Sequence, residues 1–218
     1  MSVKTGIDIL VEKVVGSLIL LIGESGTAKE ELTHRFIEDG FEKDETILVV
    51  VFSQSSTDYI KVLQEKIPKT EEYLKKEKIN FIDVHSFRSL PKEKPPNTVL
   101  LDNANDLLAL SVNINDFSLK HEKLRIVFDQ FSLLMLYNSP IQVLNFIQTL
   151  AARIRQRNQV AMIVLDLGVI DNQVERTLHT IVDIVAETKR SDDHTEVNQL
   201  IRIKFAKSKY EPRWVQVN

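Results

Sequence analysis

The chain of 218 residues contains no cysteine and only 6 glycines and 6 prolines. The absence of cysteine excludes disulfides, thiolate metal sites, iron–sulfur clusters and a cysteine nucleophile. With 43% apolar and 27% charged residues, the composition is that of a globular protein, and extended disorder is not expected. Because this length suits one large hydrophobic core, we predict a single domain over residues 1–218.

Long hydrophobic runs and an excess of positive charge are also missing. No run approaches the roughly 20 apolar residues that a membrane helix needs, and residues 1–6 lack a charged segment followed by an apolar core. We therefore predict a cytoplasmic protein with no membrane partner. The formal net charge of -3 gives no general attraction to phosphate backbones, so the composition disfavours nucleic acid as a partner.

Short apolar runs alternate with segments of helical spacing, a pattern that predicts an α/β fold with a mainly parallel central sheet flanked by helices. The predicted buried strands are residues 18–22, 47–52, 80–84, 98–101, 124–128 and 160–165. Helices are predicted over 28–38, ended by Gly40, over 58–66, and from Pro140 towards Arg157. Residues 91–97 form a predicted surface loop, and strands at 181–187, 197–205 and 213–217 predict an antiparallel C-terminal extension.

Residues 23–30, with the sequence GESGTAKE, follow a predicted strand and open a predicted helix, the setting of a phosphate-binding loop. In the full pattern G-x-x-x-x-G-K-[ST], glycines let backbone N–H groups surround the phosphates, lysine balances their charge and a hydroxyl binds Mg²⁺. Ala28 replaces the second glycine and Glu30 replaces the hydroxyl. The candidate nucleotide-binding residues are Gly23, Gly26, Thr27, Lys29, Glu30 and, after a later strand, Asp129.

Glu30 is the decisive departure from this pattern. A carboxylate about 4 Å from a phosphate oxygen costs on the order of 4 kcal/mol at an effective dielectric of 20, which weakens binding by roughly three decades. The alternative interpretation is a tight strand-to-helix turn, in which Glu30 is stabilised by the positive N-terminus of the helix. The sequence therefore predicts at most a vestigial phosphate site.

Together with Thr5-Gly6-Ile7-Asp8 before the loop and Phe36-Ile37 after it, these residues resemble the archaeal, KaiC-like branch of the RecA superfamily of P-loop ATPases. Residues 124–129 (LRIVFD), followed by Phe131-Ser132, resemble the Walker B strand of that family. The resemblance implies a RecA-like fold over nearly the whole chain, with ATP and magnesium as ligands and Asp129 near Mg²⁺. Asp102, at the end of residues 99–102 (VLLD), is the competing Walker B candidate.

Two further elements of the family are altered. The resemblance places a water-activating glutamate after the second strand, where this chain has Ser53 and Gln54, and neither can act as a general base. It also places a Lys-x-Arg element, which reaches the phosphate of a neighbouring subunit, at Lys204-Phe205-Ala206. Lys204 is therefore a candidate interface residue, although an ordinary exposed strand lysine explains it equally well.

These departures predict no catalytic residue, no resident metal or cofactor, and at most weak binding of ATP and magnesium. The five histidines lack metal-ligand spacing. The favoured function is a regulatory or scaffolding subunit, for example in signal transduction, whose partner is a second copy or an active RecA/KaiC-like paralogue.

Two other functions stay open: a weak ATP-binding protein or ATPase, and a single-strand DNA accessory factor in recombination. The second would use basic and aromatic side chains on one surface. Its candidates are Arg153, Arg155, Arg157, Lys204, Lys207, Lys209, Tyr210, Arg213 and Trp214.

Overall fold

The computed structural model describes residues 10, 15–88, 94–193, 196–208 and 210–217. Four predicted features lie outside these residues: the family-like lead-in at 5–8, the start of the surface loop at 91–93, His194 and Lys209.

The described strands form one sheet in the order β4-β3-β2-β5-β6-β1-β7-β8-β9. Pairs among β1 to β7 are parallel, whereas β7 with β8 and β8 with β9 are antiparallel. The prediction of a mainly parallel sheet with antiparallel C-terminal strands is therefore confirmed. The strands are β1 (Ser17–Gly23), β2 (Thr46–Val51), β3 (Ile79–Asp83), β4 (Thr98–Leu100), β5 (Leu124–Phe128), β6 (Val160–Asp166), β7 (Ile184–Asp193), β8 (Glu196–Ala206) and β9 (Val215–Gln216).

Helices cover both faces of the sheet. In β1, Leu18 and Leu20 belong to one apolar core and Ile19 and Leu21 to the other, because successive strand residues point to opposite faces. Helices α1 to α3 pack on the face of Ile19, and α4 to α6 on the face of Leu18. The helices are α1 (Lys29–Glu42), α2 (Ser56–Lys66), α3 (Thr70–Lys75), α4 (Leu107–Lys120), α5 (Pro140–Gln156) and α6 (Asn172–Ile181). None of them combines the length and the hydropathy needed to span a bilayer.

The predicted helix end at Gly40 is wrong, because α1 continues to Glu42. A Cβ atom on Gly40 would lie 2.6 Å from Ile47 Cδ1 and 2.9 Å from Arg125 Nε. Gly40 is therefore required by close packing of α1 against the sheet, and it does not end the helix.

The predicted strand over residues 181–187 begins too early, because Ile181 is the last residue of α6 and β7 begins at Ile184. The N-cap of α6 is Asp171, whose side chain accepts a hydrogen bond of 2.7 Å from the Gln173 N–H. Val174, Leu178 and Ile181 recur at helical spacing and form one apolar face of this helix, so hydrophobic periodicity does carry a signal for it.

A buried arginine joins α1 to the sheet at the end opposite the phosphate loop. The Arg125 guanidinium contacts the Asp39 carboxylate at 2.9 Å and the Glu45 carboxylate at 2.6 Å, and it donates to the Phe36 carbonyl at 2.6 Å. The Arg125 side chain is only 3% exposed. Since buried charges are tolerated only when they are paired, this network fixes how α1 packs on β5.

Candidate functional site

The predicted phosphate loop connects β1 to α1 at the carboxyl ends of the parallel strands. A Cβ atom on Gly23 would lie 2.0 Å from Thr188 Oγ1, because β7 packs closely beside the loop. Gly26 has a φ of +78°, a left-handed conformation that favours glycine, and a Cβ atom there would meet no heavy atom within 4 Å. The two glycines therefore serve different needs, close packing and backbone conformation.

The Lys29 ammonium is enclosed by oxygen atoms of the protein. Its Nζ donates to the Gly23 carbonyl at 2.7 Å and to the Glu24 carbonyl, and it lies 2.9 Å from Asp166 Oδ1. The Lys29 side chain is 5% exposed. Asp166 ends β6 and stands beside Gly23 in the register of β1 and β6. The positive charge that a phosphate group would need is thus paired within the protein.

The backbone of the loop also bonds to itself. The Lys29 N–H donates to the Thr27 carbonyl at 2.7 Å, and the Thr27 N–H donates to the Glu24 carbonyl at 3.4 Å. In a phosphate-binding loop such N–H groups converge on the anion instead. The Thr27 hydroxyl lies 2.7 Å from the Thr188 hydroxyl, and Gln199 donates to the Gly26 carbonyl at 3.3 Å, so β7 and β8 hold the loop in this conformation.

Glu30 lies in the first turn of α1, next to Glu31, and its side chain is exposed. The N-cap of this helix, Ala28, provides no side-chain hydrogen bond, so the two acidic residues are the groups that complement the positive helix end. Glu30 therefore has a helix-stabilising role that requires no ligand.

Asp129 follows β5 and is buried beside the end of β2. Its carboxylate accepts hydrogen bonds from the Phe52 N–H at 2.6 Å and the Ser53 hydroxyl at 2.7 Å. Burial raises the pKa of Asp129 to about 6, while these two hydrogen bonds act in the opposite direction. The other Walker B candidate, Asp102, is exposed after β4, at the far edge of the sheet. Strand β6 lies between β1 and β5, so the strand of Asp129 is not a direct neighbour of β1.

A cleft of about 320 Å³ is lined by the first turns of α1 and by Asp129. Among its lining residues, Ser53 and Gln54 come from the segment after β2, so this segment contributes no carboxylate. Tyr59 and His34 line the cleft from α2 and α1. Burial, followed by the charges of Asp129 and Glu30, raises the pKa of the Tyr59 hydroxyl. Burial is also the main cause that lowers the pKa of His34.

Lys204 lies away from this cleft, on the exposed part of β8. Phe205 pairs with Val185 and Ile203 pairs with Ala186, so Lys204 is the extra residue of a β-bulge. Its carbonyl accepts a hydrogen bond of 3.3 Å from the Tyr210 hydroxyl, and its positive charge is among the causes that lower the pKa of His179, after burial.

The three arginines at the C-terminal end of α5 and its cap bond to the protein itself. Arg153 Nη1 donates to the Ser111 hydroxyl at 2.9 Å, and Arg157 Nη1 donates to the Ser118 hydroxyl at 2.6 Å. Arg155 forms an ion pair of 3.1 Å with Asp183. These arginines thus connect the end of α5 to α4 and to Asp183, just before β7.

Of the other basic and aromatic candidates, Lys207, Arg213 and Trp214 also contact neighbouring side chains. Lys207 pairs with Asp183 at 2.5 Å. The Trp214 ring lies 4.4 Å from Lys189 Nζ and 4.6 Å from Arg202 Cζ, so it forms cation–π contacts within this chain.

Sequence reasoning missed Asp166, Thr188, Tyr59 and His34. The sequence could have placed Asp166 near the loop. This residue directly follows the predicted strand 160–165, and the carboxyl ends of parallel strands meet at one edge of the sheet. Thr188 has no such signal, since its position beside Gly23 follows from the order of the strands. Among the described residues, no group of three histidine or acidic side chains is arranged to hold a metal ion.

A parallel sheet covered on both faces, with a loop of this type between β1 and α1 and an aspartate after β5, defines the RecA-like class of P-loop folds. A family model described as "ATPase: KaiC" matches residues 3–209. The chain therefore belongs to the KaiC family of ATPases.

A solved structure supports the same fold. The flagellar accessory protein FlaH from Methanocaldococcus jannaschii superposes with a TM-score of 0.73 and 16% sequence identity, covering 94% of this chain and 87% of that chain. At this identity the similarity shows the fold alone. No curated protein matches the sequence.

Proposed function

We propose that this chain is a KaiC-family protein without ordinary ATP turnover, which acts as a regulatory or scaffolding subunit by contacting copies of itself or an active relative. The observation that carries the proposal is the enclosure of the Lys29 ammonium by two loop carbonyls and Asp166. A P-loop lysine acts by placing its charge on the phosphates. Here that charge is already paired inside the protein.

The residues of the site fit MgATP poorly. Glu30 places a carboxylate where the motif has a hydroxyl, and the N–H groups of Thr27 and Lys29 donate to loop carbonyls. A triphosphate would have to open these hydrogen bonds, separate Lys29 from Asp166 and approach the negative charge of Glu30. We infer at most weak nucleotide binding that magnesium does not strengthen.

The residues around Asp129 support a second inference, that a bound nucleotide would not be hydrolysed. Ser53, which stands where the family has a glutamate, donates its hydroxyl to Asp129 and cannot accept a proton from water. Gln54 is an amide and has no basic carboxylate. A nucleotide that did bind would lack a group to activate the attacking water.

The partner is inferred from the resemblance to RecA-like ATPases, in which nucleotide lies between subunits. A subunit with a silent site can still shape the site of its neighbour or end a ring. The test mixes this chain with a KaiC-family ATPase of the same cell that retains G-x-x-x-x-G-K-[ST]. We expect the two proteins to co-elute on gel filtration, and the phosphate-release rate of the partner to change until a fixed ratio of the two is reached.

Two charge-reversal variants probe the surface used in that complex. Lys204→Glu, on β8, is expected to weaken co-elution. Lys61→Glu, on α2, introduces the same charge change at an exposed lysine and is expected to leave co-elution unchanged. Three results together contradict the regulatory role. The two proteins elute separately, the phosphate-release rate of the partner stays unchanged even with this chain in large excess, and the chain is also monomeric by itself.

A weak ATP-binding protein is the second candidate function. It is favoured by one observation: Lys29 and Asp129 line the same cleft, at the edge of the sheet where β1 ends in Gly23. This function requires Lys29 to leave Asp166 when nucleotide binds.

Single-strand DNA binding is expected to be no tighter than non-specific levels of about 10⁻⁴ to 10⁻⁶ M at physiological salt. The net charge is -3, and Arg153, Arg155 and Arg157 each bond to the protein itself. Fluorescence anisotropy with labelled oligonucleotides measures this affinity. Submicromolar binding with a steep salt dependence, lost when the three arginines become alanine, would establish the DNA-accessory function instead.

A further inference from the structure

The cleft beside the loop presents negative charge. Its carboxylates are those of Glu30 and Asp129, and both act on the Tyr59 hydroxyl between α2 and the loop. Lys29 also lines the cleft, but its ammonium is paired with Asp166 at 2.9 Å. A ligand that carries a positive charge is therefore favoured there over a phosphate.

Two largely buried polar side chains in the cleft lack a hydrogen-bond partner within the part of the chain that the structure describes. Tyr59 is 5% exposed and His34 is 8% exposed, and both line the cleft. Neither the Tyr59 hydroxyl nor the His34 imidazole is fully enclosed by the protein, so both open into the cleft and can form hydrogen bonds to a ligand there. These two side chains are independent of the carboxylates, and they point to a ligand that forms hydrogen bonds.

The dimensions of the cleft narrow the class of ligand. A volume of about 320 Å³ lies at the small end of the range for organic ligands, which is about 300–1,000 Å³. Over the described residues, no group of three metal-binding side chains exists, so the site does not suit a chelated metal ion. Guanidinium carries five N–H donors and no acceptor, and it pairs well with carboxylates.

We propose that this cleft binds an organic cation, a guanidinium or primary ammonium group, between Glu30 and Asp129. Tyr59, His34, Ser53 and Gln54 line the same space and supply further hydrogen-bonding groups. The inference rests on the proposed function, because it requires Lys29 to stay paired with Asp166. The cation comes either from a free small molecule or from a side chain of a partner protein.

Calorimetric titration of the full chain with agmatine, at low ionic strength and neutral pH, tests the proposal. We expect saturable binding, weakened by about tenfold or more in Glu30→Gln, because a charge pair is lost. Tyr59→Phe is expected to weaken it several-fold by removing one hydroxyl. The control is Glu31→Gln, which makes the same charge change one residue along α1 in a carboxylate that pairs with Arg35 at 2.8 Å. Its affinity for agmatine should match that of the native chain.

A second arm distinguishes the two sources of the cation. A capped Gly-Gly-Arg-Gly-Gly peptide that binds as tightly as agmatine, with the same loss in Glu30→Gln, identifies a partner side chain. Binding of agmatine without binding of the peptide identifies a free small molecule. Either result supports the site.

The proposal is overturned if agmatine gives no saturable heat at millimolar concentration, if Glu30→Gln binds it as the native chain does, or if MgCl₂ alone binds more tightly and displaces it. A parallel titration with MgATP separates this inference from the proposed function. If neither agmatine nor MgATP binds, the cation site is contradicted and the proposed function is not. Micromolar binding of MgATP by the native chain contradicts the proposed function itself.

Discussion

Replacing Ala28 with glycine and Glu30 with threonine is expected to raise the affinity for MgATP by about three decades, because a carboxylate near the phosphates costs on the order of 4 kcal/mol. The glycine also removes a methyl group where backbone and phosphate approach closely, and the threonine restores a hydroxyl for Mg²⁺. Isothermal titration with MgATP measures the change. Phosphate release is expected to stay negligible in this double variant, because Ser53 and Gln54 are unchanged.

Three further variants separate the causes. Glu31→Thr removes the neighbouring carboxylate of α1 and should leave nucleotide affinity unchanged. Asp166→Asn added to the double variant should raise the affinity again, because Lys29 loses its ion pair of 2.9 Å. Gln54→Glu added to it should permit slow phosphate release by supplying a general base. An affinity that does not respond to the Glu30 substitution would show that this carboxylate does not control the site.

The Arg125→Leu substitution is expected to lower the free energy of unfolding by about 3–5 kcal/mol, the usual cost of removing one partner from a buried ion pair. Arg125 contacts Asp39 at 2.9 Å and Glu45 at 2.6 Å, and its guanidinium lies 4.3 Å from the centre of the Phe36 ring. In the leucine variant, the Asp39 and Glu45 carboxylates stay partly buried but have lost their contact with the guanidinium. Urea unfolding followed by far-UV circular dichroism measures the loss.

The matched control for this substitution is Lys75→Leu, which removes one partner of the exposed ion pair with Glu71. Such pairs contribute little, so the urea midpoint should stay unchanged. A second variant, Arg125→Leu with Glu45→Leu, should recover part of the stability, because it removes the carboxylate that lost its cation. Asp39, in contrast, keeps its ion pair of 2.5 Å with Lys43. Equal midpoints for Arg125→Leu and the native chain would show that the network does not stabilise α1 on the sheet.

The central sheet could be predicted from the sequence because strands of a covered parallel sheet are apolar on both faces. Residues 160–165 form such a run and lie within β6. Helix α6 also carries a sequence signal, since Val174, Leu178 and Ile181 recur at helical spacing, but the interpretation of residues 181–187 as a strand overlooked it. Gly40 shows that a glycine can have two structural meanings. A glycine near the end of a predicted helix usually marks its C-terminus, but here the absence of a Cβ atom makes room for Ile47 and Arg125.

The candidate site was predictable only where its residues are consecutive. The loop from Gly23 to Lys29 is visible as a motif, and Asp129 follows a strand with the Walker B pattern. The pairing of Lys29 with Asp166, and the contact of Thr27 with Thr188, depend on β6 and β7 flanking β1. Strand order is a property of the whole fold, so no local pattern contains it.

The most direct measurement is a calorimetric titration of the purified native chain with ATP and Mg²⁺, beside a phosphate-release assay on the same sample. Because Lys29 is paired with Asp166 and Glu30 opposes the phosphates, we predict at most weak binding that does not respond to magnesium, and no phosphate release above background. Micromolar binding of MgATP together with steady phosphate release would contradict the account and establish a working ATPase.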